Sequence, residues 1–285
     1  MVASLTAAST LVPALFPAVD LALARRLERA EGMANAACVD SRRERQPDVG
    51  AEWSDVGGVY AMFDGAESPL TQTFGLGLFE PFGVSEFARI EEFFSSRGAS
   101  TFHEVSSFVA PETLALLGAR GYSPMEASTV LVRPTSAAVA AEEGPITVRL
   151  IAASETTRWS SVAAEGWASD APELREFLEN TGEVVGRARG VTCFIAEREG
   201  QAVATAALNI HNGVALLAGA ATIPAARRQG AQGELLRARL AFAAARGIEL
   251  AMVVTQPGSA SQRNAERQGF RPVYTRVKWR RSLDG

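Results

Sequence analysis

Residues 218–233, reading Ala-Gly-Ala-Ala-Thr-Ile-Pro-Ala-Ala-Arg-Arg-Gln-Gly-Ala-Gln-Gly, restrict the fold of this chain more than any other stretch. An apolar run suited to a strand passes through an Arg- and Gly-rich turn and then into a helix. The first N–H groups of a helix have no intrahelical partner and lie at the positive end of its dipole. Arg227, Arg228, Gly230 and Gly233 gather there, so backbone donors and guanidinium charge can meet one anion, and a pyrophosphate suits such a cradle. Glycine at two of these positions lets the backbone approach phosphate oxygens with no Cβ in the way.

At 285 residues the chain exceeds the size at which one core usually stops growing, which favours two domains. A Pro-, Ala- and Glu-rich passage near the middle lacks any amphipathic period and reads as a linker. The expected division is 1–134, a linker at 135–145, and 146–285. In the second half, a strand at 146–151 precedes a helix at 156–167 and a largely helical stretch at 171–187. Strands follow at 191–197, 202–210 and 214–223, joined by turns at Glu199-Gly200 and Asn212-Gly213, the latter a strong hairpin signal. After the Arg/Gly turn, Leu236, Leu240 and Ala243 repeat at helical spacing, with Arg237, Arg239 and Arg246 expected outside that stripe. A buried strand at 250–255, a short helix ending at Gly269 and a strand at 272–280 close the pattern.

The first half opens with a helix from Asp20 to about Arg45, whose Leu23, Leu27, Ala30, Ala34 and Cys38 form the buried stripe. A strand at 71–79 carries Gly75-Leu-Gly77, which no third glycine or helix start follows, so it is no dinucleotide fingerprint. A helix at 87–94, a strand at 101–109, a helix ending at Gly121-Tyr122 and a strand at 130–132 then echo the end of the chain. Arg97-Gly98 and Gly121-Tyr122 correspond to Arg246-Gly247 and Gly269-Phe270 at nearly the same separation, as an internal duplication would produce. Where the second copy has its Arg/Gly turn, residues 78–87 read Leu-Phe-Glu-Pro-Phe-Gly-Val-Ser-Glu-Phe. Two carboxylates and no arginine there would repel a phosphate, so the first half is expected to bind none.

The net charge of −4 argues against a protein that coats nucleic acid or an anionic membrane. Cys38, Cys193, His103 and His211 match no metal spacing, and His211 reads as a loop residue. The apolar residues 2–19 lack a basic start and contain Pro13 and Pro17, fitting neither a signal peptide nor a membrane span. A reduced, cytoplasmic protein is the expectation, with the oligomeric state left open.

The element order and the turn together resemble the GNAT superfamily of acyl-CoA N-acyltransferases, in a tandem arrangement with a degenerate first domain. The family turn, Arg/Gln-x-x-Gly-x-Gly/Ala, is matched by residues 227–232 except that Gln232 stands at the last place. The resemblance implies a mixed α+β fold of two GNAT-like domains, each a mostly antiparallel sheet flanked by helices. It implies acetyl-CoA as co-substrate and no metal. The coenzyme A pyrophosphate would be held at Arg227, Arg228, Gln229, Gly230, Ala231, Gln232 and Gly233, and the pantetheine arm along Ala220, Ala221 and Thr222. Asn264 falls in the region that lines the pantetheine tail. The acceptor would be a primary amine of a small molecule or a peptide N-terminus.

Direct transfer needs a route for the amine proton and often an acid for the leaving thiolate. The family's usual acid is a tyrosine four residues before the Gly-Phe pair, and Ala265 occupies that place. Tyr274, beyond Gly269-Phe270, and Glu165, in the helix at 156–167, are the candidate substitutes. The competing reading is a non-catalytic acyl-CoA sensor or scaffold.

Overall fold

A computed structural model describes residues 16–137 and 144–283; most of the stretch 2–19 and the centre of the passage 135–145 lie outside the described residues. The chain begins with α1 (Leu21–Arg45), which the Asp20 carboxylate caps by accepting the Leu23 N–H at 2.8 Å. Arg42, Arg43 and Arg45 sit in its last turn, where the helix dipole favours cations. Next come β1 (Glu52–Val56), β2 (Val59–Phe63), β3 (Gln72–Phe74), α2 (Val84–Ser95), β4 (Thr101–Ser106), α3 (Pro111–Ala119) and β5 (Ser123–Pro134). The second half runs β6 (Ile146–Leu150), α4 (Thr156–Trp167), α5 (Arg175–Arg187), β7 (Val191–Arg198), β8 (Gln201–His211) and β9 (Val214–Thr222). It ends with α6 (Ala231–Ala244), β10 (Leu250–Thr255), α7 (Ala260–Arg267) and β11 (Arg271–Arg281).

All eleven strands form one sheet in the order β1-β2-β3-β4-β11-β5-β10-β9-β8-β7-β6. Pairing is antiparallel except for β3 with β4 and β9 with β10. The expected mixed, mostly antiparallel class is what the chain adopts. The two parallel pairs stand at equivalent places in the two halves, as a duplication requires. The halves, however, are not two separately closed sheets: β11 lies between β4 and β5, and β5 lies between β11 and β10. Each half has given its last strand to the other, so a boundary at 135–145 divides the sequence without dividing the sheet.

Helix α1 strengthens that union. It packs on β1, β2 and β3 and also on β8, β9 and α5. Its Arg26 guanidinium donates to the Asn212 and Gly213 carbonyls at 3.1 and 2.9 Å, at the tip of the β8–β9 hairpin. Its fully buried Glu28 accepts the Tyr274 hydroxyl at 2.7 Å and faces Arg276, which also meets Glu31 at 2.9 Å. The first helix therefore grips the exchanged strand β11 through buried charge.

Three local expectations are corrected. The strand expected over 71–79 stops at Phe74, because Gly75 and Gly77 turn the chain at φ +83° and +67°. The strand expected over 101–109 likewise ends at Ser106. Arg239, expected outside the apolar stripe of α6, is only 2% exposed. The hairpin β1–β2 adds a further element that the sequence reading did not include.

Candidate functional site

The site begins with a defect in the sheet. Along β8 and β9 the register runs Thr205 to Ala221 and then Ala207 to Ala218, so β9 carries an extra residue around Gly219 and bends. β10 pairs with β9 only from Leu250–Val214 to Met252–Leu216. Beyond that point the two strands diverge, leaving a cleft of about 970 Å³ with Ala218 to Thr222 along one wall and Val253 to Thr255 along the other. Strand backbone exposed this way has donors and acceptors in need of partners. The Thr255 hydroxyl, buried in the second wall, also has no hydrogen-bond partner among the described residues.

Helix α6 points its N-terminus at the mouth of this cleft. Gly230 stands before its first turn at φ +93°, a conformation that favours glycine, and no atom lies within 4 Å of where its Cβ would be. Arg228, a non-glycine residue, is held at φ +62°. No side chain caps the helix. The N–H groups of residues 228–233 meet no hydrogen-bond acceptor among the described residues, which leaves six donors without a partner at the positive end of the dipole.

The side chains around the turn divide by role. Arg228 is exposed at the cleft edge. Arg227, expected to hold an anion, is already engaged: its Nη2 donates to the Gly166 carbonyl at 2.9 Å and to Ser169 Oγ at 2.7 Å. It ties the end of α4 to the end of β9 and shapes the mouth. Gln232 Nε2 reaches to Thr222 Oγ1 at 2.7 Å, so its bulk lies against β9 while its N–H stays free. The Gln229 side chain is held by Ala225 and Arg198, and the residue is not part of the cleft wall. Gly166 is a contributor that the sequence reading missed. A Cβ there would stand 2.9 Å from the Ala221 Cβ and 3.0 Å from Thr222 N, so only glycine lets α4 approach the splayed strand. A glycine inside a helical pattern was the available signal.

Ala220, Ala221, Thr222, Ala231, Gly233 and Asn264 all border the cleft, as does buried Ala265. The two candidate proton carriers do not. The Tyr274 hydroxyl is committed to Glu28 in the α1–β11 contact, where burial and that carboxylate push its pKa up. Glu165 is half-buried on α4 and is not part of the cleft wall. Among the described residues no Asp, Glu, His, Cys or Tyr lines the cleft, whereas five arginines do. Of these, Arg237 pairs with Glu234. Arg239 is buried, and burial lowers its pKa to about 9.

The equivalent place in the first half is closed. The Glu86 carboxylate accepts the Gly83 N–H at 2.9 Å at the start of α2, and Phe79 packs where a Cβ on Gly58 or Gly75 would stand. His103, in that core, bonds Thr73 at 2.6 Å, and burial lowers its pKa to about 3.

Residues 153–270 match the family model described as Acetyltransferase (GNAT) family. No curated protein matches the sequence. Among solved structures, a GCN5-related N-acetyltransferase from Kribbella flavida is similar at TM-score 0.64 and 19% identity, over 90% of this chain and 95% of that one. A GCN5-related N-acetyltransferase from Sphaerobacter thermophilus is similar at TM-score 0.55 and 16% identity, over 93% and 94%. A tandem GNAT protein from the clavulanic acid biosynthesis pathway is similar at TM-score 0.57 and 14% identity, over 79% and 78%. At these identities the likeness is one of fold.

Proposed function

We propose, from the match of residues 153–270 to the GNAT family model, that the chain transfers an acyl group from a coenzyme A thioester to a primary amine. Acetyl-CoA is the donor brought by the family likeness, and the acceptor is a small molecule or a peptide N-terminus. The observation that carries this reading is the set of six free N–H groups at residues 228–233, at the mouth of a cleft between strands that part. Those donors and Arg228 suit a diphosphate, with the anion at a helix N-terminus contributing about 0.3–2 kcal/mol through the dipole alone. The edge of β9 that β10 leaves unpaired beyond Leu216 suits the amides of a pantetheine arm, which would add to the strand edge.

Bound there, the thioester supplies an activated acyl carbon. The protein's part is to hold that carbon still, exclude water from one side and present a cationic wall. Among the described residues the cleft wall offers the amine proton no carboxylate, imidazole, thiol or phenol, so the amine arrives uncharged from solvent and its proton returns there. We place this chemistry in the cytoplasm; among the described residues no helix is long and apolar enough to cross a membrane.

A second reading, an acyl-CoA sensor without turnover, draws on Ala265, which cannot donate a proton where the family resemblance expects a tyrosine. Calorimetry with coenzyme A, followed by thiol release across a panel of amines, separates the two. Binding with amine-dependent thiol release supports the transferase. Binding without turnover supports the sensor, and no binding removes both.

A further inference from the structure

Arg239 is a cation without a counter-charge. It lies on the sheet-facing side of α6, 2% exposed, and its three hydrogen bonds all go to neutral carbonyls. Nε donates to Leu235 at 3.1 Å, and Nη1 donates to Ala207 at 3.1 Å and to Ala218 at 3.3 Å. Nη2 has no acceptor among the described residues. Burial is the one cause of its lowered pKa, and no carboxylate charge opposes it. A buried, unmatched guanidinium is costly, and an anion that arrives with a ligand removes that cost. Arg276 and Arg42, also buried, resolve the problem internally: Arg276 meets Glu28, Glu31 and Glu104, and Arg42 meets Asp64. Arg239 is the one of these three that borders the cleft.

Its place along the cleft identifies what would meet it. Arg239 stands eight residues beyond Ala231, about 12 Å down the helix from the free N–H groups at 1.5 Å per residue. Ala218, whose carbonyl it touches, stands four residues before Thr222, about 13 Å back along β9 at 3.3 Å per residue. Both measures put the guanidinium at the end of the groove away from those N–H groups; with a diphosphate at the helix start, the acyl group would lie toward Arg239.

We propose that the preferred donor carries an acyl group ending in a carboxylate, a dicarboxylic acid thioester of coenzyme A, and that Arg239 pairs with that carboxylate. This rests on the acyl-CoA reading above and narrows its donor. In the transfer, the amine nitrogen bonds to the thioester carbon, the C–S bond breaks, the amine proton goes to solvent and the thiolate departs. The distal carboxylate passes unchanged into the amide product. Arg239 is a specificity residue here and takes no part in bond making.

The test is calorimetric titration of the full chain with coenzyme A, acetyl-CoA, butyryl-CoA, malonyl-CoA and succinyl-CoA. One of the two carboxylated thioesters is expected to bind about tenfold or more tighter than acetyl-CoA, the size of one charge-assisted contact. Arg239→Gln keeps donors for the Ala207 and Ala218 carbonyls without the charge, and brings that ratio close to one. Arg239→Lys restores part of it. If the glutamine variant fails to fold, the wild-type ratio still decides. Equal binding of all thioesters, or a preference for butyryl-CoA, overturns the donor assignment and leaves the acyl-CoA reading standing. A ratio unchanged in Arg239→Gln overturns the role of Arg239. Failure of every ligand, coenzyme A included, overturns the underlying reading and this inference with it.

Discussion

At the start of α2 the Gly83 N–H is taken by the Glu86 carboxylate, whereas at the start of α6 the corresponding third position holds Gly233 and the donors are left open. The two helices connect the strands of equivalent parallel pairs in the two halves, β3 with β4 and β9 with β10. Around the first, aromatic side chains fill the space: Phe79 lies against Gly58 and Gly75, and Phe82 packs edge-on against Phe87. Around the second, the strands part and the space stays open. A helix N-terminus is therefore a site only when nothing from its own chain uses it first. One glutamate and two phenylalanines close the start of α2, while the start of α6, proposed above to receive an anion, stays open. The first half supports the second directly, since it supplies β5 to the edge of the second half's sheet and receives β11 in return.

The most severe way to break this contrast is to give α6 the α2 solution. Gly233→Glu places a carboxylate at the third helical position, where a Cβ meets only ordinary contacts. Coenzyme A affinity is expected to fall about 100-fold, from a lost donor plus charge repulsion, with the thermal midpoint unchanged or raised. Calorimetry and a melting curve on the same sample check both. Next in size is Arg228→Gly, which removes a guanidinium and also relieves a non-glycine residue at φ +62°. Affinity should drop about tenfold while folding stability rises by up to about 1 kcal/mol, opposite signs from one substitution.

A third test uses pH to separate the packed half from the open cleft. His103 has a folded pKa of about 3, below its ordinary 6.5, so the unfolded chain takes up the proton first. Stability is then complete above about pH 6.5 and falls as pH drops toward 3, and His103→Gln flattens that slope in denaturant titrations. Catalytic rate should show no such limb from the cleft, rising with pH until the acceptor amine is itself uncharged. The smallest effect is expected from Glu86→Gly. Losing the α2 cap lowers the thermal midpoint slightly and gains no coenzyme A binding there, because Phe79 and Phe82 still fill the place.

Much of this architecture was legible locally. The Glu199-Gly200 and Asn212-Gly213 pairs both adopt positive φ, as tight hairpins require. Asp20 caps α1, the stripe of α1 is buried as spaced, and α4 runs over the residues read as helical. The turn before α6 needed only the Arg/Gly pattern. What escaped depends on contacts between distant segments. β2 is buried along its whole length, so its Val-Tyr-Ala-Met-Phe run shows no alternation, and β1 is a largely polar strand at the sheet edge. The exchange of β5 and β11 rests on pairing between strands far apart in sequence, which neither strand shows alone. Tyr274 follows a register shift in β11 after Pro272, which resets the strand's alternation, and Glu28 claims its hydroxyl. Arg239 carries a charge that reads as surface, and only the bulge in β9 makes a buried place for it.

The contrast between the two helix starts is tested most directly by following backbone amide resonances while coenzyme A is added. The account predicts that the largest shifts fall on residues 228–233 and that residues 83–86 do not move. Shifts centred on the start of α2, or saturable binding that leaves 228–233 unperturbed, would contradict it.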